Sequence, residues 1–450
     1  MLGKLKHDIQ QNLFQTRLTD LINLGHPLVK LAQEVDWLKM EVEFKKLYSE
    51  QGRPSIPIRK IAGLLLIKEM FKESDESVVD RWIENPYWQY FTGEDFFQNK
   101  QPFDPSEFVH FRKRLKESGL EFLLSQTVAL HPDTKVEKEV QIDTTVQEKN
   151  ITFPTDAKLA KKIIDNCRKI AKKEGITQRQ TYVRVAKQHL RDAYFGHHPK
   201  RKKKAVAARK KLRTIGKRVL RELERKLPQE RVGIYQTEFD NYKKVLIQDR
   251  NTKDKIYSLH EPQTACIAKG KAHKAYEFGT KVAVTRGRKT GIITSIKRFA
   301  GNPHDSKTLE EALAQSERVR KHIGGTRPTI ASTDRGFRGK TEVEGTKIYI
   351  PKNTKEKTKY KQEVARSRFR ARAAIEPTIS HLKRNHALGL NFLKGISGDV
   401  HNALLSAVGY NLKMRLNQIK EQIVLWLEIL ILYVFNKFIF TNLKAQKVGF

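Results

Sequence analysis

The spacing of apolar residues is helical over the first 130 residues of the chain. In Ile58–Met70 apolar side chains recur every three or four residues, and Pro57 directly before them fits a helix start. Aromatic residues are dense between Tyr87 and Phe103, and a small helical domain needs such side chains as core anchors. We therefore expect an all-helical N-terminal domain over residues 1–130, with most of these rings in its core.

An alternation of apolar and polar side chains with a period of two, typical of β-strands, begins at Val140. Within this first strand Asp143 projects from the face opposite the β-branched residues, although acids are disfavoured in strands. Strands are expected again from about Val232 to Phe299. The predicted strands are Val140–Val146, Lys281–Thr285, Gly291–Phe299, Pro328–Asp334 and Lys347–Ile350. The second and third form a hairpin, and a helix through about Arg320 follows it, so we expect an α/β domain.

A basic helical segment, residues 156–228, separates the first strand from the others. Between Ala193 and Arg221 it contains no acidic residue. Its self-repulsion is relieved either by a bound polyanion or by remaining mobile and solvated. We favour a phosphate-binding arm, whose candidate contacts are Lys200, Arg201, Lys202, Lys203, Lys204, Arg209, Lys210 and Lys211.

The composition supports a polyanionic partner. The chain has 450 residues, and 88 Lys and Arg against 50 Asp and Glu give a formal charge of +38. Such an excess is typical of nucleic-acid binding, with an anionic membrane surface as the competing partner. The aromatic residues of the N-terminal domain would then have a second possible role, stacking on bases. Cys167 and Cys266 lie far apart, and the N-terminus lacks a signal-peptide pattern, so we expect a cytoplasmic, nucleoid-associated protein.

Three acids are candidates for a metal site. Asp143 lies on a strand, Asp334 at the end of another strand, and Glu376 on or at a helix. Strand ends of an α/β sheet are where such folds bind ligands. Converging carboxylates repel each other unless a cation holds them ionised, and their hard oxygens favour Mg²⁺ or Mn²⁺. Gly336 and Gly339 leave room for a close approach to the backbone.

The segment around Glu376 carries further candidates. Phe369, Arg372, Glu376 and Lys383 stand at offsets of three, four and seven, which stack residues on one face of a helix. Ile375, Ile379 and Leu382 form an adjoining apolar stripe. Pro377 implies either a bend just after Glu376 or a helix that starts there, with an irregular lead-in. An ordinary amphipathic basic helix is the alternative interpretation of this segment.

Together these motifs resemble the DDE transposases of bacterial insertion sequences. Phe369, Arg372, Glu376 and Lys383 match the signature Y-x2-R-x3-E-x6-K, except that Phe369 replaces its tyrosine. The segments QIDTTVQEKNITFPTD, EFGTKVAV, GNPHDSKTL and TDRGFRGK look like the insertion-sequence-five family, as does the N-terminal stretch from about residue 52. The resemblance implies an RNase H-like α/β fold, a mixed sheet with flanking helices, here with a basic helical insertion.

The resemblance also implies a mechanism. Asp143, Asp334 and Glu376 would bind two Mg²⁺ ions, with Mn²⁺ as an alternative, for cleavage at the element's ends and 3′-OH strand transfer. Phe369, Arg372, Lys383 and Arg335 would contact DNA, and Asp305 is expected near the site without an assigned role. The partners implied are double-stranded DNA of the terminal inverted repeats and of the target, and a homodimer or higher oligomer. The alternatives are an RNase H-like nuclease or resolvase, and an inactive DNA-binding relic.

These considerations divide the chain into residues 1–130, a DNA-binding helical domain; 131–414, the catalytic domain, which contains the insertion 156–228; and 415–450, an apolar helical tail. The tail segment Gln422–Phe440 is long enough to suggest a membrane span, but Glu428 near its middle makes spanning costly. We therefore expect no membrane association. The tail is expected to pack on the core or at a dimer interface.

Overall fold

The computed structural model describes residue 3 and residues 16–52, 54–249, 251–271, 274–350 and 358–447. Its N-terminal part is helical, as predicted. The helices are α1 (Leu18–Leu21), α2 (Pro27–Glu34), α3 (Trp37–Lys45), α4 (Ile58–Phe71), α5 (Asp75–Glu84), α6 (Pro86–Phe91), α7 (Glu107–Ala129) and α8 (Asp133–Val136). Their shared core contains Trp82, Trp88, Phe91 and Phe103, whereas Phe97 is 45% exposed. The aromatic run is thus mainly core.

A mixed sheet follows the helical part. Its strands are β1 (Glu139–Lys149), β2 (Ala265–Lys271), β3 (Lys274–Gly287), β4 (Ile293–Phe299), β5 (Ile330–Ser332), β6 (Glu342–Val343), β7 (Thr346–Tyr349) and β8 (Leu390–Asn391). Across the sheet the central order is β4-β3-β1-β5-β7. The β1–β3 and β3–β4 pairs are antiparallel, and the β1–β5 and β5–β7 pairs are parallel. The predicted hairpin is confirmed as β3–β4.

Helices cover this sheet. Helix α13 (Leu309–Lys321) connects β4 to β5 and packs on β3 and β4, and α14 (Lys359–Arg372) and α15 (Ile375–Asn385) follow β7. A first strand, an antiparallel hairpin, a helix and two parallel strands are the order of an RNase H-like domain. The predicted α/β fold class is confirmed.

The helical insertion between β1 and β2 is longer than predicted. It comprises α9 (Asp156–Lys173), α10 (Val183–Tyr194), α11 (Lys202–Lys226) and α12 (Gln229–Ile247). These helices have a core of their own, which includes Ile163, Leu212 and Phe239. The expectation that strands return from about Val232 is wrong, because α12 occupies that stretch and β2 begins only at Ala265.

The last helix, α16 (Gly395–Lys447), differs between its two parts. Its first part packs on α4, α7 and β4, and Gly409 permits a close approach to α4, since a Cβ there would lie 2.4 Å from the Glu69 carbonyl oxygen. The apolar residues between Val424 and Val434 are instead 40–65% exposed. Packing of the tail on the chain's own core is therefore wrong for this stretch. Among the described residues, none of the helices combines the length and apolarity required to span a bilayer.

Candidate active site

The sheet brings Asp143 and Asp334 to the same place. Strands β1 and β5 are parallel neighbours in which Gln141 is paired with Ser332. Each aspartate lies two residues beyond its member of that pair, Asp143 within β1 and Asp334 just past the end of β5, so both side chains project from the same face of the sheet at neighbouring positions. One atom, Nη2 of Arg372, lies 3.7 Å from Asp143 Oδ2 and 3.8 Å from Asp334 Oδ2. The predicted convergence of these two acids is thus a feature of the fold.

The environment of Asp143 disfavours its charge. Burial and the negative charges of Asp334 and Asp305 raise the pKa of the Asp143 carboxyl to about 6. Opposing this, the Thr144 N–H donates to Asp143 Oδ1 over 2.7 Å, and Arg372 contributes positive charge. Among the described residues, the positive charge near Asp143 does not offset its burial and the charges of the neighbouring acids.

Asp305, whose role the sequence left open, belongs to this cluster. Its Oδ1 accepts a hydrogen bond from Thr144 Oγ1 over 2.9 Å and pairs with Lys281 Nζ at 2.5 Å. Lys281 also donates to the carbonyl oxygen of Pro303 over 2.7 Å. This network holds the residue next to Asp143. Sequence reasoning identified neither Thr144 nor Lys281, since both fit an ordinary strand pattern.

Asp334 is fixed by the turn that follows it. Its Oδ1 accepts from the Gly336 N–H over 2.8 Å, which caps a short 3-10 turn, and the buried Phe337 anchors that turn in the core. A Cβ at Gly336 would lie 2.7 Å from Asp305 Oδ2. The room at this glycine is taken up by the Asp305 carboxylate, whereas nothing lies within 4 Å of a Cβ at Gly339. Arg335 in the same turn is exposed.

Pro377 accounts for the break between α14 and α15. A proline cannot donate to the carbonyl four residues earlier and clashes with it. Accordingly, Ala373 and Ala374 bond to the residues three positions before them. Pro377 falls in the first turn of α15, where it is tolerated. The alternative of a helix that starts at Glu376 agrees with α15, which begins at Ile375, but the expected irregular lead-in is wrong, because Phe369 and Arg372 lie on the separate helix α14.

Contacts with the sheet set the position of Arg372. One turn earlier on α14, Arg368 pairs with Glu139 of β1 at 2.9 Å and lies over the ring of Tyr349 at 4.1 Å. Residues four apart lie on the same helical face. Arg372 is therefore directed towards the same edge of the sheet, where it contacts both aspartates instead of pointing into solvent.

Glu376 and Lys383 lie on α15, seven residues apart and hence on one face. The adjoining face packs in the core through Ile375 and Leu382, and Ile379 is partly buried, so the predicted apolar stripe is confirmed. Glu376 is exposed, as is Phe369. In the part of the chain that the structure describes, His, Cys, Asp and Glu side chains form no group of three able to hold a metal ion. Glu376 is thus not grouped with the two aspartates.

The predicted phosphate-binding arm lies on the insertion. Lys200 and Arg201 precede α11, and Lys202, Lys203 and Lys204 begin it. These five side chains and those of Arg209, Lys210 and Lys211 are exposed. Lys204 pairs with Asp192 at 3.1 Å, and Arg201 lies over the Phe195 ring. The arm is a helical surface, and its binding of phosphates stays a prediction.

Comparisons with known proteins agree with this geometry. Residues 16–114 match a transposase domain (DUF772), and residues 251–412 match a transposase DDE domain. The second match includes Asp334 and Glu376, whereas Asp143 lies outside both. The "Uncharacterized protein ORF8 in nfe locus" of Rhizobium meliloti is 41% identical over 183 residues, which cover 40% of this chain and 88% of that protein. No solved structure matches the chain. With both transposase domains matched and the two aspartates adjacent in an RNase H-like sheet, the chain belongs to the DDE transposases of insertion sequences.

Proposed function

We propose that this transposase cleaves DNA at the ends of its insertion sequence and joins the freed 3′-OH to target DNA. The observation that carries the proposal is the meeting of Asp143 and Asp334 on adjacent parallel strands, with the guanidinium of Arg372 within 4 Å of both carboxylates. Two carboxylates held this close repel each other, and such a pair is typical of a site that binds a cation of higher charge than an arginine. The proposal assigns the protein to the cytoplasm, on the nucleoid.

DDE transposases generally use divalent metal ions, and the residues here fit such an ion. Asp143 and Asp334 offer hard carboxylate oxygens, which suit Mg²⁺ or Mn²⁺. The raised pKa of Asp143 is the further sign of fit, since a divalent cation would favour its ionised form. Glu376, exposed on the first turn of α15, would complete the ligand set for two ions. Bound metal would activate the attacking oxygen and stabilise the leaving one.

The remaining residues would bind and orient DNA. Arg372 can act as a fork and Lys383 as a point charge towards phosphates of the transposon end. Phe369 on α14 and Arg335 in the turn after Asp334 are both exposed. We assign them to the same DNA surface. The basic run from Lys200 would contact the phosphate backbone, which positions the duplex without reading its sequence. The chemistry requires no covalent protein–DNA intermediate.

A strand-transfer assay tests this function. A labelled oligonucleotide that ends in a pre-cleaved transposon terminus is incubated with supercoiled plasmid and Mg²⁺. We expect joined product with the wild-type protein and its loss in Asp143→Ala, Asp334→Ala and Glu376→Ala, each with unchanged affinity for the oligonucleotide. Cleavage without joining would favour a nuclease, and DNA binding without either reaction a relic of a mobile element. Joining by all three variants would refute the ligand assignment.

We further propose that the protein acts as a homodimer through the exposed part of α16. A helix that is apolar on all sides is normally buried, yet ten large apolar residues between Val424 and Val434 are exposed in the single chain. Glu428 among them disfavours a lipid environment, at a cost of about 2.5–3.5 kcal/mol. A second copy of the same helix offers a matching apolar surface of the kind found at obligate interfaces.

Light scattering after gel filtration measures the assembly. The full chain should elute as a dimer, and Leu425→Gln/Leu432→Gln, which changes one helical face, should elute as a monomer of the same fold by circular dichroism. Gln422→Ala, at an exposed polar position, is the matched control and should remain dimeric. A monomeric wild-type protein would refute the interface, and recovery only with detergent or lipid vesicles would assign the helix to a membrane surface.

A further inference from the structure

A second basic site lies on the insertion, at the other end of α11 from the predicted arm. A cleft of about 1070 Å³ opens between the loop that precedes α10 and the C-terminal half of α11. The basic side chains that line it are Arg179, Arg218, Arg221, Arg225 and Lys226. None of these five belongs to the run Lys200–Lys211, so the cleft is a separate concentration of positive charge.

The acids in the cleft form their ion pairs with lysines, and Arg225 contributes only a minor part of the lowered pKa of Glu222. Glu222 pairs with Lys226 at 2.8 Å and also accepts from the Arg179 backbone N–H, and Glu224 pairs with Lys243 at 2.6 Å. These partners hold both carboxylates, and the Lys226 bond is the main reason that the pKa of Glu222 is lowered.

The guanidinium groups have neutral partners or none. Arg218 donates to the Tyr182 hydroxyl over 2.9 Å, and Arg221 Nε donates to the Lys217 carbonyl oxygen over 3.3 Å. Within the described ranges, the guanidinium groups of Arg179, Arg218, Arg221 and Arg225 form no ion pair with a carboxylate. Such a cluster of uncompensated planar cations suits phosphate groups, which a guanidinium can bind through two donors.

The helix joins this cleft to the arm. On α11 Arg218, Arg221 and Arg225 lie with Lys203, Lys204 and Lys211 within one stripe, an arc of about 100°, because each residue advances about 100° around the helix. From Lys203 to Arg225 the stripe measures about 33 Å at 1.5 Å per residue. One turn of B-DNA has nearly the same length, about 34 Å. The basic surface is therefore long enough to follow one full turn of a duplex.

We propose that the cleft of Arg218, Arg221 and Arg225 binds the phosphate backbone of duplex DNA and that α11 is one continuous DNA track from Lys203 to this cleft. The proposal rests on the proposed function only in taking DNA as the partner, and it requires neither metal nor catalysis. It predicts a footprint on DNA that extends about one turn along the insertion instead of a contact at the arm alone.

Binding in EDTA tests the track without any catalytic step. Fluorescence anisotropy with a 30-base-pair duplex would compare the wild type with Arg218→Gln/Arg221→Gln/Arg225→Gln between 50 and 200 mM salt. Each lost phosphate contact lowers the slope of log K against log salt by about 0.9, so the triple variant should lose about 2.7. We expect its affinity at 100 mM salt to fall at least about tenfold.

The control removes three charges with the same spacing from the exposed face of the neighbouring helix, as Arg184→Gln/Lys187→Gln/Arg191→Gln. A loss in the control as large as in the cleft variant would mean that only net charge matters, and would overturn the proposal. Calorimetric titration with ATP separates a small phosphate ligand from DNA: saturable binding that the cleft variant loses, with duplex affinity unchanged, would also overturn it. A wild-type protein that binds DNA but does not join it would leave the track standing and refute the proposed function.

Discussion

Replacing Asp143 by asparagine should stabilise the metal-free protein while abolishing its proposed activity. The pKa of the Asp143 carboxyl is raised from 3.8 to about 6 by burial and by its acidic neighbours. Because the folded state binds this proton more tightly than the unfolded state does, stability falls as pH rises from about 4 to about 6. A shift of about two units corresponds to about 3 kcal/mol above pH 6. Asparagine keeps an oxygen for the Thr144 N–H and carries no charge.

Urea denaturation in EDTA at pH 4, 6 and 8 measures the effect as the difference between variant and wild type. The two should unfold alike at pH 4, and the variant should be more stable by up to about 3 kcal/mol at pH 8. Mg²⁺ at a hundredfold excess over its Kd should add about 2.7 kcal/mol to the wild type and less to the variant. Asp254→Asn, at an exposed position, is the control. A difference that does not change with pH would show that the Asp143 charge is not destabilising and would refute the reasoning.

Three further outcomes follow from contacts in and around the site. Arg372→Gln should tighten Mg²⁺ binding in a calorimetric titration while lowering strand transfer, since it removes the cation that competes for both aspartates; weaker Mg²⁺ binding would contradict this. Asp399→Ala should lower the free energy of unfolding by about 2–3 kcal/mol in urea, because the buried Lys149 loses its ion pair at 2.6 Å while it keeps the longer one to Glu261 at 3.2 Å; a change below about 1 kcal/mol would contradict this. Gly336→Ala should reduce strand transfer at unchanged DNA affinity, because its Cβ meets Asp305 Oδ2 at 2.7 Å; full activity would contradict it.

Local patterns in the sequence were sufficient to predict those elements whose structure is decided by residues close together in the chain. The β3–β4 hairpin follows from alternation and turn residues, and the register of β1 with β5 places an acid two residues beyond the pair Gln141–Ser332 on each chain segment. Helix α12 was missed although its signal is present: Tyr235, Phe239, Tyr242 and Leu246 are buried at spacings of four, three and four. Their aromatic and branched side chains favour strands by propensity, and the helical period was the more reliable indication.

Charge compensation could not be predicted in the same way. Sequence spacing identified Asp143, Asp334 and Arg372, but assigned the arginine to DNA, because nothing in a one-dimensional pattern states which cation balances which acid. In the folded chain α14 is anchored by Arg368 on Glu139, and the proline-induced break at Ala373 and Ala374 separates Arg372 from Glu376. The arginine therefore contacts both aspartates while the third acid remains exposed. A positive charge between two carboxylates stabilises their ionised forms. A metal ion bound there and the guanidinium of Arg372 would repel each other. The metal ion must therefore displace Arg372 from the aspartates or bind beside it at a cost in charge repulsion.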